Sequence, residues 1–291
     1  MERKTYIDTF GAVALVLFAL NLAFNQVVVK VTNGGFDPVF LAGLRSVGGA
    51  VVLVAWMKAR GVSFTLPRSS ILGGAASGLL FAVEFMCLFI ALDLTTVGRV
   101  SIIFYSMPVW LALSAHFLLP AERLNGVRVI GLVLAMAGVA LALLDRSNGQ
   151  ASLLGDLLAL FAAICWAAIA LCVRVTPLAR VPPEQQLLWQ LLISAPLLLL
   201  AAPFFGDLLR DVQPIHLWGL AFQIIAVASF GFLAWFWLMS IYPASSVASF
   251  SFLSPVFAVI LGWLLLGEHV GWTIWAALGL VAAGIFLINR K

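Results

Sequence analysis

Charge is scarce in this chain. Asp, Glu, Lys and Arg make up 10% of 291 residues, against about 25% in a water-soluble domain, too little to clothe a solvated surface. Cysteine and histidine number three each. Cys87, Cys165 and Cys172 all fall in apolar stretches. The last two, on one expected helix, lie about 10 Å apart along it and cannot bridge each other. No Cys-x-x-Cys pair or Cys/His ligand spacing occurs, so no metal, cofactor or redox role is implied. His116 and His269 sit near expected helix ends and read as interfacial residues rather than a proton relay. Gly-x-Ser-x-Gly, His-Glu-x-x-His, a phosphate-binding loop and an Asp-rich metal cluster are all missing. The chain therefore reads as no enzyme, and as no ATP-driven pump. The basic residues behind the net +4 are scattered over short connections, which gives no footprint for nucleic acid.

What is abundant is hydrocarbon. Hydrophobic residues reach 64% and mean hydropathy is +1.13, the signature of an integral membrane protein, with the lipid bilayer as partner. The apolar runs are near the ~20 residues that cross the bilayer as helix, and the alternation of a barrel is absent. Ten spans are expected, at about 7–31, 38–57, 71–92, 96–118, 127–144, 153–174, 185–204, 215–239, 244–266 and 271–288. The first is too long for the core of a cleavable signal. With a cytoplasmic N-terminus, eleven of the 16 Lys and Arg fall inside, four outside, and Arg45 lies within a span. That bias predicts both termini in the cytoplasm.

The chain also repeats itself. Tyr105–Glu122 (YSMPVWLALSAHFLLPAE) parallels Ser251–Glu268 (SFLSPVFAVILGWLLLGE), matching Pro108 with Pro255 at an offset of 147. Glu122 then meets Glu268 and Gly138 meets Gly284 at 146. Earlier, Gly11 meets Gly155, Lys30 meets Arg174, and Pro38 meets Pro182 at 144. The expectation is two five-helix repeats, 1–147 and 148–291. Five being odd, the second enters the membrane from the opposite side, the inverted symmetry of secondary transporters.

On these features, a proline-bearing fourth span, a Glu at its end and a Gly-rich fifth span in each half, the whole chain resembles the drug/metabolite transporter superfamily, EamA-type. Its length, single-chain form and aromatic richness are most similar to the YddG-type exporters of aromatic amino acids. The resemblance implies an all-α fold of ten transmembrane helices in the bacterial inner membrane. It further implies export of small neutral metabolites, amino acids among them, by alternating access through a central cavity of spans 1, 3, 4, 6, 8 and 9. Spans 5 and 10, carrying Gly131, Gly138, Gly279 and Gly284, would pair at the edge. Drug export is the near alternative; a lipid flippase or a multispan membrane enzyme is the distant one. A nucleotide-sugar carrier would need several deep cations for phosphate, and only Arg45 is deep. The chain is expected to act as a monomer, with a dimer as the alternative.

Several residues stand out as substrate ligands. Glu84 lies mid-span with no cation nearby in sequence; such a carboxylate faces a cavity or a partner. It is either a site for a substrate ammonium or proton, walled by Trp235 and Trp237, or a protonated structural plug. Asn21 and Asn25, one turn apart, suit either substrate polar groups or interhelical bonds. Arg45 is about 10 Å deep, placed either to meet a carboxylate or, as the residues favour, to snorkel or pair with Asp37 or Asp93. Tyr105, Trp166 and Trp189 are aromatic candidates for the cavity, though such side chains more often serve packing than binding. Ser251, with Ser245, Ser246, Ser249 and Ser254, allows close helix approach or a polar wall. Pro108 and Pro255 are expected to be bends that gate. Glu122 and Glu268, at span ends, read as markers of the repeat.

Overall fold

The computed structural model describes residues 7–119, 123–145, 151–242 and 250–289. Glu122, Ser245, Ser246 and Ser249 lie outside the described residues, as does the start of the ninth expected span.

Helices account for nearly all of it: α1 (Thr9–Thr32), α2 (Pro38–Arg60), α3 (Ile71–Leu94), α4 (Val97–Phe104), α5 (Met107–Leu118), α6 (Gly126–Leu144), α7 (Leu153–Val175), α8 (Pro183–Ala201), α9 (Pro214–Phe222), α10 (Phe230–Ile241), α11 (Leu253–Leu266) and α12 (Trp272–Asn289). Among the described residues eight helical stretches are long and apolar enough to cross a membrane, and Leu253–Leu266 and Trp272–Ile288 are shorter apolar helices. The described residues contain no strand, only an isolated bridge between Phe36 and Leu209.

Local chemistry explains the boundaries. Asp37 accepts from the amides of Val39 (2.8 Å) and Phe40 (3.0 Å), with Pro38 at the first helical position, where its missing N–H and fixed φ cost nothing. Thr96, Asn125 and Ser152 cap α4, α6 and α7 in the same way. Gly61 ends α2 at φ 65°, a left-handed turn that a side chain would strain.

The expected bend at Pro108 is a helix break, and Pro255 stands in the first turn of a helix. The fourth span stops at Phe104, turns through Tyr105 and Ser106, and restarts as α5 with Pro108 in its first turn. Pro255 occupies the first turn of α11, after a 3₁₀ turn at Phe250–Phe252. First-turn amides have no intrahelical acceptor, so these prolines remove no hydrogen bond. The eighth span is interrupted as well: between α9 and α10, Gln223–Ser229 winds as π-helix.

Burial orders the layers. α3 is the most enclosed span, 56% of its apolar window being buried, against 28% for the span of α6. It packs on α1, α2, α4, α7 and α8. At the edge α6 pairs with α12. A methyl added at Gly131 would stand 2.8 Å from the Gly284 carbonyl, and one at Gly138 2.6 Å from that of Ala277. A methyl added at Gly279 would meet nothing within 4 Å, so this glycine takes no part in the close contact between the two helices.

One end of the bundle is cross-tied by charge. Glu268 accepts from the first amides of α4, Val97 N (2.6 Å) and Gly98 N (3.1 Å), favourable for a carboxylate at a helix N-terminus. Burial holds its carboxyl above the ordinary value, opposed by those amides and by Lys30. The Lys30 ammonium donates to the carbonyls of Leu92 (2.9 Å) and Thr95 (2.6 Å) at the end of α3. Arg99 pairs with Asp156 of α7 (2.7 Å), both buried, and donates to the carbonyls of Asp145 (2.7 Å) and Ala142 at the end of α6. Arg210 grips Asp93 with both terminal nitrogens (3.0 and 3.1 Å).

Candidate functional site

The most enclosed span carries the deepest carboxylate. Glu84, midway along α3, is 4% exposed, and Arg45 of α2, also 4% exposed, is close enough for the two charges to interact. Arg45 therefore neither snorkels nor pairs as expected: Asp37 is occupied capping α2, and Asp93 by Arg210. The guanidinium lies over the Phe85 ring, 4.1 Å from its centroid, with Phe89 at 5.7 Å. This is cation–π geometry. Its Nε is buried and has no hydrogen-bond partner.

Polar groups continue from this pair toward α8. Gln190 donates to Ser77 of α3 (2.7 Å), and Ser194 to Ser46 of α2 (3.2 Å). Cys165 of α7 lies within electrostatic reach of Glu84 and of Cys87. On α4 and α7, Phe104 stacks on Trp166 (4.9 Å, 16°) and Tyr105 meets the same indole edge-on (5.9 Å). The Ser254 side chain of α11 lies close to the Tyr105 hydroxyl. Tyr105 and Trp166, selected separately in the sequence, are thus brought into one aromatic group beside the helix break.

Other selected residues stand elsewhere. Asn21 donates to the Ala226 carbonyl in the π-helical stretch (3.1 Å), so its amide bridges helices. Asn25 has a buried Oδ1 without a partner. Trp235 stacks on Phe18 of α1 (5.1 Å). Trp237 is 39% exposed and meets Phe10 edge-on, away from Glu84. Ser251 lies in the 3₁₀ turn before α11; its side chain is not among those described. The Arg45–Glu84 encounter is the feature sequence reading missed. Its signal was the presence of two lone opposite charges in separate spans, since intramembrane charges pair.

A groove of about 320 Å³ opens sideways between α1, α9 and α11, lined by Leu17, Leu20, Asn21, Phe24, Phe222 and Leu261. Among the described residues no group of three His, Cys, Asp or Glu could hold a metal. Glu84 and Arg45 thus place one buried charge of each sign in the interior, with Phe85 and Phe89 beside the guanidinium.

Comparison with known proteins bears on what such a site serves. The model of the EamA-like transporter family matches residues 9–144 and again 153–290. A Pseudomonas aeruginosa protein is 32% identical, covering 99% of this chain and 95% of its own. The Bacillus subtilis transporter YoaV is 25% identical over 91% of each chain. An Escherichia coli protein described as a "Probable amino-acid metabolite efflux pump" is 26% identical over 95% of this chain and 93% of its own. One solved crystal structure shares the fold, with TM-score 0.68, 24% identity and 94% coverage of each chain.

Proposed function

The chain belongs to the EamA-like transporter family, and from that premise we propose that it exports small neutral metabolites, zwitterionic amino acids with apolar or aromatic side chains above all. Glu84 takes the ammonium and Arg45 the carboxylate, in place of their interaction with one another. Tyr105 and Trp166 wall the side-chain pocket, and Asn25 offers its free acceptor. The observation that carries this reading is that Glu84 and Arg45 are both buried, within electrostatic reach of one another yet joined by no ion pair within 4 Å: an isolated charge at this depth is expensive, and a ligand bearing both charges supplies each with a direct partner.

The two family-model matches, 9–144 and 153–290, support a reading as two repeats. With the Lys/Arg bias, they support inverted topology, an inner-membrane location and cytoplasmic termini. The break before Pro108 and the 3₁₀-to-α junction before Pro255 serve as paired joints for alternating access. Whether export is gradient-driven antiport or facilitated diffusion is read by one experiment: uptake of labelled Phe, Trp, Thr and Met into proteoliposomes, with and without a pH gradient. Saturable movement is expected, and Glu84→Gln should lower it at least tenfold with folding intact. Undiminished movement by Glu84→Gln would sink the assignment of the pair.

A further inference from the structure

The π-helical stretch Gln223–Ser229 is an internal irregularity that the repeat pattern did not announce. The Phe230 amide donates to Ile225, five residues back, and the Ser229 hydroxyl to Ile224 O (2.8 Å). Such a stretch inserts one extra residue into an α-helix, and such insertions frequently occur at functional sites. Converting it to regular α-helix turns α10 by about 100° and moves it by about 1.5 Å, one residue of helix.

Side chains of α1 grip the stretch at two points. Asn21 donates to Ala226 O (3.1 Å), and Gln223, fully buried, donates to Thr32 Oγ1 (3.3 Å). The Gln223 Oε1 is left with no partner. A buried acceptor left unmet is a cost, so this register is not the best for every group in it. Gly231 accommodates the displaced carbonyl: a methyl there would stand 3.0 Å from Ala226 O. Beyond the stretch, Phe232 and Leu233 of α10 pack against the cluster of Phe81, Ile169 and Leu191, beside which Phe85 lies. Phe85 is the ring under Arg45.

We propose that Gln223–Ser229 is a register switch. In the present π-form, held by Asn21, α10 keeps Phe232 and Leu233 against the buried cluster on which Phe85, the ring beneath Arg45, also packs. Conversion to α-helix turns α10 by one residue, withdraws those side chains and opens the site from that flank. Asn21 is then a positioning residue that favours the covered state. The register itself stands apart from the identity of the cargo; only its meaning as a gate rests on the proposed transport.

The test places p-trifluoromethylphenylalanine at Phe230, the first residue of α10 and 62% exposed, and records ¹⁹F spectra of the full chain in lipid nanodiscs. Expected are two environments for wild type, or one averaged line. Asn21→Ala should shift the balance about fivefold from the present register, the worth of one hydrogen bond. Deleting Ala226 removes the extra residue while leaving both flanks facing as they do now, so it should give one line, at the present-register position. A single line at one position in both wild type and Asn21→Ala overturns the switch, whether or not the deleted chain folds. Because the spectrum needs no cargo, it can fail while transport is confirmed, and the reverse.

Discussion

At one end of the bundle Arg99, Asp156, Glu268 and Lys30 join helix termini through buried charges, while several contacts at the other run through hydroxyls and amides, one of them onto the Asp8 carboxylate. There Tyr242 donates to Asp8 (2.7 Å), Gln185 to Ser63 O (2.9 Å), and Gln186 to Val181 O (2.8 Å) and Leu178 O (3.0 Å). Each charged tie loses far more when broken, since separating a buried pair strands a charge, whereas a neutral amide hydrogen bond contributes only about 1 kcal/mol net. Under the alternating access proposed above, the end tied by buried charges is the costlier one to open. On the Lys/Arg reading, the charged end is the outer one.

The largest expected effect in that contrast is at Asp156. Asp156→Ala leaves Arg99 buried and unpaired and should destabilise by ~3–5 kcal/mol in thermal or denaturant unfolding in detergent. Replacing both residues by apolar ones should recover much of it. Glu268→Ala comes next. It strips the N-terminal amides of α4 of their acceptor for ~1–3 kcal/mol and should raise labelling of cysteines introduced at that end. Gln185→Ala, at the opposite end, should change stability by no more than ~1 kcal/mol. A large loss there would erase the contrast between the ends. Smallest is a pH effect. The folded Glu268 carboxyl is raised above its ordinary 4.5, so the folded state binds the proton more tightly and stability falls as pH rises between the two values. The difference in Tm between wild type and Glu268→Gln should therefore narrow toward the acid side of that window.

Much of the fold was legible because the bilayer enforces it: run length sets the spans, and Pro108, Pro255 and Glu268 mark real helix ends. Glu268 reads correctly as structural, though sequence could not show that it caps α4, 170 residues earlier. The site was half legible. Glu84 was conspicuous as a lone charge, but its partner sits on another helix, and no periodicity within one span reports which faces meet. Asn21 was visible as a polar residue, yet its acceptor is a backbone carbonyl, which has no sequence signature. The π-helical stretch was invisible for the same reason, since QIIAVAS has an ordinary helical composition.

The central claim is that Glu84 and Arg45 together receive a zwitterion. It is tested most directly by counterflow in proteoliposomes with labelled phenylalanine against its methyl ester and its decarboxylated amine, for wild type, Glu84→Gln and Arg45→Gln. The account predicts saturable flux of phenylalanine by wild type and at least a tenfold loss in each variant. It also predicts that Arg45→Gln narrows the preference for phenylalanine over the uncarboxylated amine. Equal flux of all three compounds by wild type, or a preference unchanged by Arg45→Gln, would contradict it.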